Sequence, residues 1–303
     1  MVLAFAGSPD AAVPPLRALA GSRHEVVAVV TQPDRARGRS RRTSPTPVAQ
    51  AAQELGIPVM RPTTINAPEV VEVIADAGAQ SLVVVAFGQI LRDVVLSRWP
   101  CVNVHFSILP AYRGAAPVER AIMDGVTETG VTTMLMEAGL DTGPILVVDR
   151  TAVGEDEEGG ALLARLSQMG GPLLVRTIDD LEAGRLTPVP QPDEGVSFAP
   201  KITAEDRVLD LARPAAELAR RVRALAPHIG ATCRIDGEPF KVWRARVVSE
   251  PVPPGLSVAE GRLLADCGSG TLEIVEVQPP GRGRIEAAAF LRGWRGPLAW
   301  TPA

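Results

Sequence analysis

The sequence has few cysteines, few aromatic residues and no long apolar run. Its 303 residues include Cys101, Cys233 and Cys267, an odd and widely spaced set that predicts neither a disulfide framework nor a zinc site. The apolar run Leu82–Phe87 is far shorter than the ~20 residues that a membrane span requires. The N-terminus has no basic region or cleavage site typical of a signal peptide. We therefore expect no membrane partner and a cytoplasmic protein.

Lysine is also scarce: among 31 basic residues only Lys201 and Lys241 are lysine. With 46% hydrophobic and 22% charged residues, the composition excludes disordered and collagen-like classes. The net charge of −4 is unevenly distributed. Residues 1–200 have 16 basic and 23 acidic side chains, whereas residues 201–303 have 15 and 12. This asymmetry suggests that a polyanionic partner contacts only one region.

Short β-rich segments alternate with helical patterns over the first two hundred residues. The predicted strands include Val2–Ala6, Glu25–Thr31, Ser81–Ala86, Val102–His105 and Val131–Met136. Near-continuous runs of Val, Leu and Ile are typical of strands buried on both faces. We therefore predict an α/β fold, with a doubly wound, mostly parallel, Rossmann-like sheet over residues 1–186.

Prolines interrupt this pattern between Gly184 and Pro200, where neither a helix nor a central strand can continue. We assign residues 187–206 to a linker and residues 207–303 to a second domain. After one predicted helix, that domain contains β-like segments around Asp236-Gly237, a strong hairpin signal. We predict a smaller OB-like β-barrel there.

Asn103 and His105 lie near the end of a predicted strand and project to the same face, because side chains alternate along a strand. Open α/β sheets bind ligands at the carboxyl ends of their strands. An amide and an imidazole placed together could hydrogen-bond a developing oxyanion, and the imidazole could also move a proton. The alternative is structural, with Asn103 capping a turn and His105 satisfied in the core.

A second polar cluster, Gly139–Pro144, contains Asp141 and lies between two predicted strands. Glycines on both sides of an aspartate permit a tight excursion of the backbone that could aim the carboxylate into a cleft. Near His105, this carboxylate would orient the imidazole and stabilise its protonated form. An ordinary Asx turn is the alternative.

Five arginines and one aspartate lie between Gln32 and Arg42. No apolar periodicity predicts a helix or strand there, so we expect an exposed segment without regular structure. Its guanidinium groups could clamp RNA phosphates, although a solvated basic loop is the alternative. The candidate RNA contacts are Arg35, Arg37, Arg39, Arg41 and Arg42.

Together these motifs resemble the 10-formyltetrahydrofolate transformylase family over nearly the whole chain. Asn103–Pro110 and Gly139–Pro144 are similar to the family in general. The arginine segment, Arg113–Pro117, Trp243 and Gln278 resemble the branch that acts on tRNA. The resemblance implies formyl transfer from N10 of 10-formyltetrahydrofolate to the α-amine of methionine esterified to initiator tRNA, with no metal.

The resemblance also implies which residues act. Asn103 and His105 would stabilise the tetrahedral oxyanion, and Asp141 would tune His105 and relay protons. The arginine segment would enter the tRNA acceptor end, with Arg39 most important, and the second domain would contact tRNA electrostatically. The folate site would include Phe87, Gly88, Gln89, Ile90, Leu91, Ser107, Leu109 and Pro110. We expect a monomer.

Three alternatives remain open. A formyltransferase acting on a small amine would need neither the arginine segment nor a C-terminal β domain. A hydrolase would release formate from the same folate with no acceptor. A non-catalytic RNA-binding protein would have no need for Asn103, His105 and Asp141 together.

Overall fold

The computed structural model describes residues 1–37 and 42–302. Two compact units are present, and each is assembled from separate stretches of the chain. The first comprises Met1–Pro117, Glu128–Ala152 and Leu163–Pro200, and the second comprises Val118–Thr127, Val153–Leu162 and Lys201–Ala303. Within the described ranges, no helix is both long and apolar enough to cross a bilayer.

The first unit contains a seven-stranded sheet with the strand order β5-β2-β1-β6-β7-β8-β9. The first five strands in this order pair in parallel, whereas β8 and β9 are antiparallel. The predicted mostly parallel sheet is therefore confirmed. The strands up to residue 152 are β1 (Val2–Gly7), β2 (Glu25–Val30), β3 (Arg35–Arg37), β4 (Arg42–Ser44), β5 (Val59–Met60), β6 (Ser81–Val85), β7 (Cys101–His105), β8 (Glu128–Leu135) and β9 (Ile145–Ala152).

The centre of this sheet is buried on both faces. Every residue of β6 and β7 is buried. The near-continuous apolar sequence of β6 predicts this, whereas β7 also buries the polar residues Asn103 and His105. The chain runs from β1 to β2 on one side and later returns to β6 on the other side of β1. This reversal of strand order creates a crevice at the carboxyl ends of the strands, where sheets of this type bind ligands.

The chain up to residue 182 also contains α-helices, which are divided between the first and second units. They are α1 (Val13–Ala20), α2 (Pro47–Glu54), α3 (Pro68–Asp76), α4 (Asp93–Leu96), α5 (Pro117–Asp124) and α6 (Gly159–Glu182). The Thr46 hydroxyl caps α2 by accepting from the Ala49 amide at 3.1 Å, and proline at the first position suits a helix start. Val70 and Ile74 of α3 and Val95 of α4 pack against the sheet in one buried cluster.

The prediction that the arginine segment contains no strand is wrong at its two ends, because β3 pairs antiparallel with β4. A short ribbon is held by main-chain hydrogen bonds, so it needs no apolar alternation in its sequence. Arg39 and Arg41 lie outside the described residues, as do the side chains of Arg35, Arg37 and Arg42.

The second unit contains a curled antiparallel sheet, which confirms the predicted smaller β domain. The order is β12-β13-β14-β11-β10-β16, and β15 also pairs with β14. Asp236 and Gly237 both have positive φ in the β10–β11 hairpin, and irregular register near Arg244 bends β11. Its elements are α7 (Ala215–Leu225), β10 (Ala231–Ile235), β11 (Glu238–Val248), β12 (Leu256–Ala259), β13 (Arg262–Asp266), β14 (Thr271–Gln278), β15 (Ile285–Glu286), α8 (Ala287–Gly293) and β16 (Trp300–Pro302).

Candidate active site

Asn103 lies on β7, beside the end of β6. The two strands are parallel, with Val84 opposite Asn103, so their carboxyl ends meet at one edge of the sheet. Asn103 is 8% exposed, and its side-chain amide has no hydrogen-bond partner within residues 1–37 and 42–302. An amide that has no protein partner can donate to a ligand.

The His105 ring is held between a carbonyl and a carboxylate. Its Nε2 atom lies 2.9 Å from the Tyr112 carbonyl oxygen, and because a carbonyl only accepts hydrogen bonds, Nε2 carries a proton. The other ring nitrogen, Nδ1, lies 3.8 Å from Oδ2 of Asp141. In neutral His105, Nδ1 therefore carries no proton and can accept one. When Nδ1 is protonated, the imidazolium ring forms an ion pair with the Asp141 carboxylate.

Asp141 lies in the turn between β8 and β9 and adopts a positive φ of 50°. Such a conformation is uncommon for residues other than glycine and occurs most often at asparagine and aspartate. Its Oδ2 atom accepts a hydrogen bond from the Gly114 amide at 2.8 Å, and its side chain is 14% exposed. The predicted aspartate thus reaches His105, and the loop that follows β7 holds it there.

The turn after β6 contains the predicted folate residues Phe87, Gly88, Gln89, Ile90 and Leu91. They divide by burial: Phe87 and Leu91 are in the core, whereas Ile90 is 80% exposed. Gln89 accepts a hydrogen bond from the Ile65 amide at 2.8 Å, which anchors the turn. An exposed isoleucine on an anchored turn offers an apolar surface to a flat ring.

The other predicted folate residues support the loop that follows β7. Ser107 is fully buried, and its hydroxyl donates to the Ala111 carbonyl at 2.6 Å. Leu109 is also buried, and its amide donates to the Thr132 hydroxyl at 3.2 Å, while Pro110 is half-buried. These contacts fix the loop that supplies the Tyr112 carbonyl.

Sequence reasoning missed Gln191, which it placed in the linker. The side-chain oxygen of Gln191 accepts from Nε and Nη2 of Arg113 at 3.0 and 2.7 Å. Its side-chain nitrogen donates to the carbonyl oxygens of Asp141 and Gly143, both at 2.8 Å. No motif marks a single glutamine among prolines, so the sequence offered no signal for these contacts.

Cys101 begins β7, but it provides no nucleophile. Burial raises the pKa of its thiol to about 12. Because the thiolate is the reactive form, Cys101 stays protonated and acts as a small apolar residue.

His24, Asp179 and Glu182 form a potential cation site, with ligand atoms within 4.8 Å of one another. Arg23 already occupies it, with Nε 2.5 Å from Asp179 and Nη2 2.5 Å from Glu182. The hydrogen bond from Arg23 lowers the pKa of Asp179. This cluster is therefore an ion-pair network built around a guanidinium group.

Two family models match the chain. The Formyl transferase model covers residues 1–178, and the model of the Formyl transferase C-terminal domain covers residues 201–295. The chain thus has the fold of a formyl transferase enzyme.

Curated relatives specify the branch. A methionyl-tRNA formyltransferase of Solibacter usitatus is 44% identical over 299 residues, which are 97% of this chain and 96% of that protein. One from a Methylobacterium species is 46% identical, covering 96% of each chain. The chain belongs to the methionyl-tRNA formyltransferase family.

Solved structures agree on the fold. An N-formyltransferase from Helicobacter canadensis, crystallised with folinic acid and dTDP-3-aminofucose, aligns with a TM-score of 0.68. The alignment covers 90% of this chain and 99% of that one at 18% identity. At this identity the likeness concerns the architecture alone.

Proposed function

We propose that this enzyme transfers the formyl group of 10-formyltetrahydrofolate to the α-amine of methionyl-initiator tRNA, for initiation of translation. The observation that carries the chemistry is the Asp141 carboxylate facing Nδ1 of His105, beside the unpartnered amide of Asn103. These groups provide a proton acceptor, a counter-charge and a hydrogen-bond donor. Acyl transfer to an amine needs all three.

In the first step, the neutral amine nitrogen attacks the formyl carbon, and the carbonyl π electrons move to oxygen. The Asn103 amide has no competing partner within the described ranges, so its N–H groups can donate to the new oxyanion. Donors aimed at developing charge in a water-poor site contribute a large share of catalysis. We assign Asn103 the main oxyanion contact.

The proton lost by the attacking amine needs an acceptor. Nδ1 of His105 is that acceptor, because Nε2 already donates to the Tyr112 carbonyl. The charge of Asp141 stabilises the resulting imidazolium, and the single proton on Nδ1 is donated to the oxyanion in a hydrogen bond. When the oxyanion re-forms the carbonyl bond and the C–N10 bond breaks, the departing N10 takes the proton from Nδ1 of His105, and the amine has gained the formyl group.

The proposed binding residues follow from their positions. The turn Phe87–Leu91 and the loop Ser107–Pro110 follow the adjacent strands β6 and β7, as a folate site at the sheet edge requires. Arg35, Arg37, Arg39, Arg41 and Arg42 remain proposed contacts to the tRNA acceptor end. We also propose that residues 1–186 carry catalysis, 187–206 link the domains and 207–303 bind tRNA.

A cationic stack in the second unit supports the last assignment. The Arg284 guanidinium lies 3.4 Å from the centre of the Trp243 ring, and Lys241 Nζ lies 5.1 Å from it. Trp243 in turn donates to Gln278 at 3.0 Å. Arg284 is exposed and also donates to the Pro227 carbonyl, so a guanidinium held over an aromatic ring is presented to solvent and can meet a phosphate.

The test supplies 10-formyltetrahydrofolate with or without methionyl-initiator tRNA and follows both formyl-methionine and released tetrahydrofolate. We expect folate turnover to require the charged tRNA and to yield formyl-methionine. Turnover without any acceptor would indicate a hydrolase, and turnover with only a small amine would indicate a different transferase. Either result overturns the proposal.

The catalytic assignments are tested in the same assay. His105→Ala and Asp141→Ala should each lose several orders of magnitude in kcat while folding normally, because the two residues act as one proton-handling unit. Combining them should cost little more than either alone. Near-normal turnover in either single variant would contradict the mechanism.

A further inference from the structure

Residues 189–199, here called the strap, are bound along the first unit although they belong to the predicted linker. Val189 exchanges two main-chain hydrogen bonds with Ile145, both at 2.8 Å. Further along, Arg113 donates to the Ser197 carbonyl at 2.9 Å and accepts from the Ala199 amide at 2.7 Å. The strap thus pairs with β9 at one end and with the loop after β7 at the other.

Gln191 lies between these two anchors and joins both loops of the active site. Its oxygen accepts two hydrogen bonds from Arg113, in the loop after β7. Its nitrogen donates to the carbonyls of Asp141 and Gly143, in the turn between β8 and β9. All of its side-chain hydrogen-bonding atoms are therefore engaged, and none is left for a substrate.

Both neighbours of Arg113 contact the catalytic pair. Tyr112 supplies the carbonyl that orients His105, and Gly114 supplies the amide that holds the Asp141 carboxylate. The strap holds the main chain of Arg113, and Gln191 holds its guanidinium group, so both of these contacts are tied to the strap. Gln191 also holds the main chain of Asp141 itself, so it acts on both sides of the 3.8 Å gap between Nδ1 and Oδ2.

Gly114 shows how closely the strap and the loop must fit. Its φ is +129°, and an added Cβ would lie 2.6 Å from the Ala199 carbonyl oxygen. Only glycine combines this backbone conformation with so close an approach. The strap is therefore part of the scaffold of the active site and not only a tether.

We propose that Gln191 is a positioning residue for formyl transfer, which sets the separation of Asp141 and His105 by bridging the loops that carry their contacts. This inference rests on the proposed function for its kinetic test, although its geometric part does not. Gln191 lies outside the reacting groups and acts through Arg113 and Asp141.

Two substitutions test whether Gln191 positions the loops of the active site or only attaches the strap to the first unit. Gln191→Ala removes all four hydrogen bonds. Gln191→Glu keeps the acceptor for Arg113 but loses the donor to the Asp141 and Gly143 carbonyls. The control is Glu194→Ala, an exposed position in the same strap.

In the formylation assay, both Gln191 variants should lose about 10²-fold in kcat, the effect of a small misplacement of reacting groups. KM for tRNA and for folate should stay unchanged, and Glu194→Ala should match the wild type. A kcat within the range of the control would overturn the inference. So would a rise in KM as large as the fall in kcat.

A second measurement does not depend on activity. The chain has three histidines, so the ring nitrogens of His24, His105 and His228 can be followed by NMR after labelling with nitrogen-15 histidine. His105 signals are assigned with His105→Gln. In Gln191→Ala only the His105 signals should move, because its ring contacts are the ones released.

The two measurements keep the hypotheses apart. A wild type that fails to formylate methionyl-tRNA would remove the proposed function, yet the His105 signals would still test positioning by Gln191. Unchanged His105 signals in Gln191→Ala would overturn the inference. Movement of all three histidines would overturn it too, since that would show a general loss of structure.

Discussion

The ion pair between Arg120 and Asp206 predicts a defined pH dependence for the stability of the second unit. Arg120 donates to both carboxylate oxygens of Asp206, at 2.7 and 2.6 Å, and the Thr203 amide donates at 2.8 Å. The side chains of Arg120 and Asp206 are only 19% and 21% exposed. The hydrogen bonds from Arg120 lower the pKa of Asp206 to about 2.

The magnitude follows from the difference in pKa between the unfolded and folded chain. An unfolded aspartate titrates near about 3.9, so the folded state favours the ionised form of Asp206. The stabilisation is fully present above the unfolded pKa and is lost as the pH falls towards the folded pKa. At about 1.4 kcal/mol per pKa unit, a difference of nearly two units corresponds to about 2.5 kcal/mol. Because both side chains are partly exposed, solvent screening reduces the contribution of the pair to the free energy of unfolding at neutral pH to about 2 kcal/mol.

The perturbation is Asp206→Asn, which keeps the shape and removes the charge. It should lower the free energy of unfolding of the second unit by about 2 kcal/mol at neutral pH. The difference in free energy of unfolding between Asp206→Asn and the protein that retains Asp206 should stay constant above about pH 5. It should shrink between about pH 4 and pH 2. Glu238→Gln, at an exposed carboxylate on β11, is the matched control and should show no such difference.

The assay uses the distribution of tryptophan. Of the four tryptophans, only Trp99 lies in the first unit. In a Trp99→Phe background, fluorescence therefore reports on the second unit through Trp243, Trp294 and Trp300. Urea unfolding is followed from pH 7 to pH 3. A difference between Asp206→Asn and the background that stays constant over this range would refute the reasoning, as would no difference at pH 7.

Two further predictions concern function. Gly114→Ala should lower kcat by about 10²-fold, because the added Cβ would force the loop away from the Ala199 carbonyl and displace the amide that holds Asp141. Gly195→Ala is the control, because Gly195 also has a positive φ, +80°, but has open space around it; equal kcat values for the two variants would contradict the argument. Arg284→Ala should weaken tRNA binding and reduce the slope of log K against log salt by about 1 while leaving the KM for folate unchanged; a salt dependence identical to the wild type would contradict it.

The fold was largely predictable because its signals are local. A near-continuous apolar run predicted β6, and Asp236-Gly237 predicted the hairpin between β10 and β11. Helix α6 has no such local signal, because its sequence contains adjacent glycines and Pro172, which disfavour a helix. Its Leu166, Leu173 and Ile178 are fully buried, so packing of this face outweighs the local propensity.

The site was predictable only in part. The alternation of side chains along a strand placed Asn103 and His105 on one face, and flanking glycines marked Asp141 as a residue in a tight turn. Nδ1 of His105 lies 3.8 Å from Oδ2 of Asp141, and the catalytic roles of the two residues stay a prediction. The contacts of Gln191 had no local signal, because its partners lie 48 or more residues away in the sequence.

The sequence by itself determined the strand pattern, the hairpin and the residue types available for chemistry, since burial and turn preferences are properties of short segments. The tertiary structure alone decided which nitrogen of His105 faces Asp141. It also decided which part of the predicted linker bridges the loop after β7 and the turn between β8 and β9. Those outcomes depend on hydrogen bonds between distant segments. They form only after the sheet has fixed where each loop begins and ends.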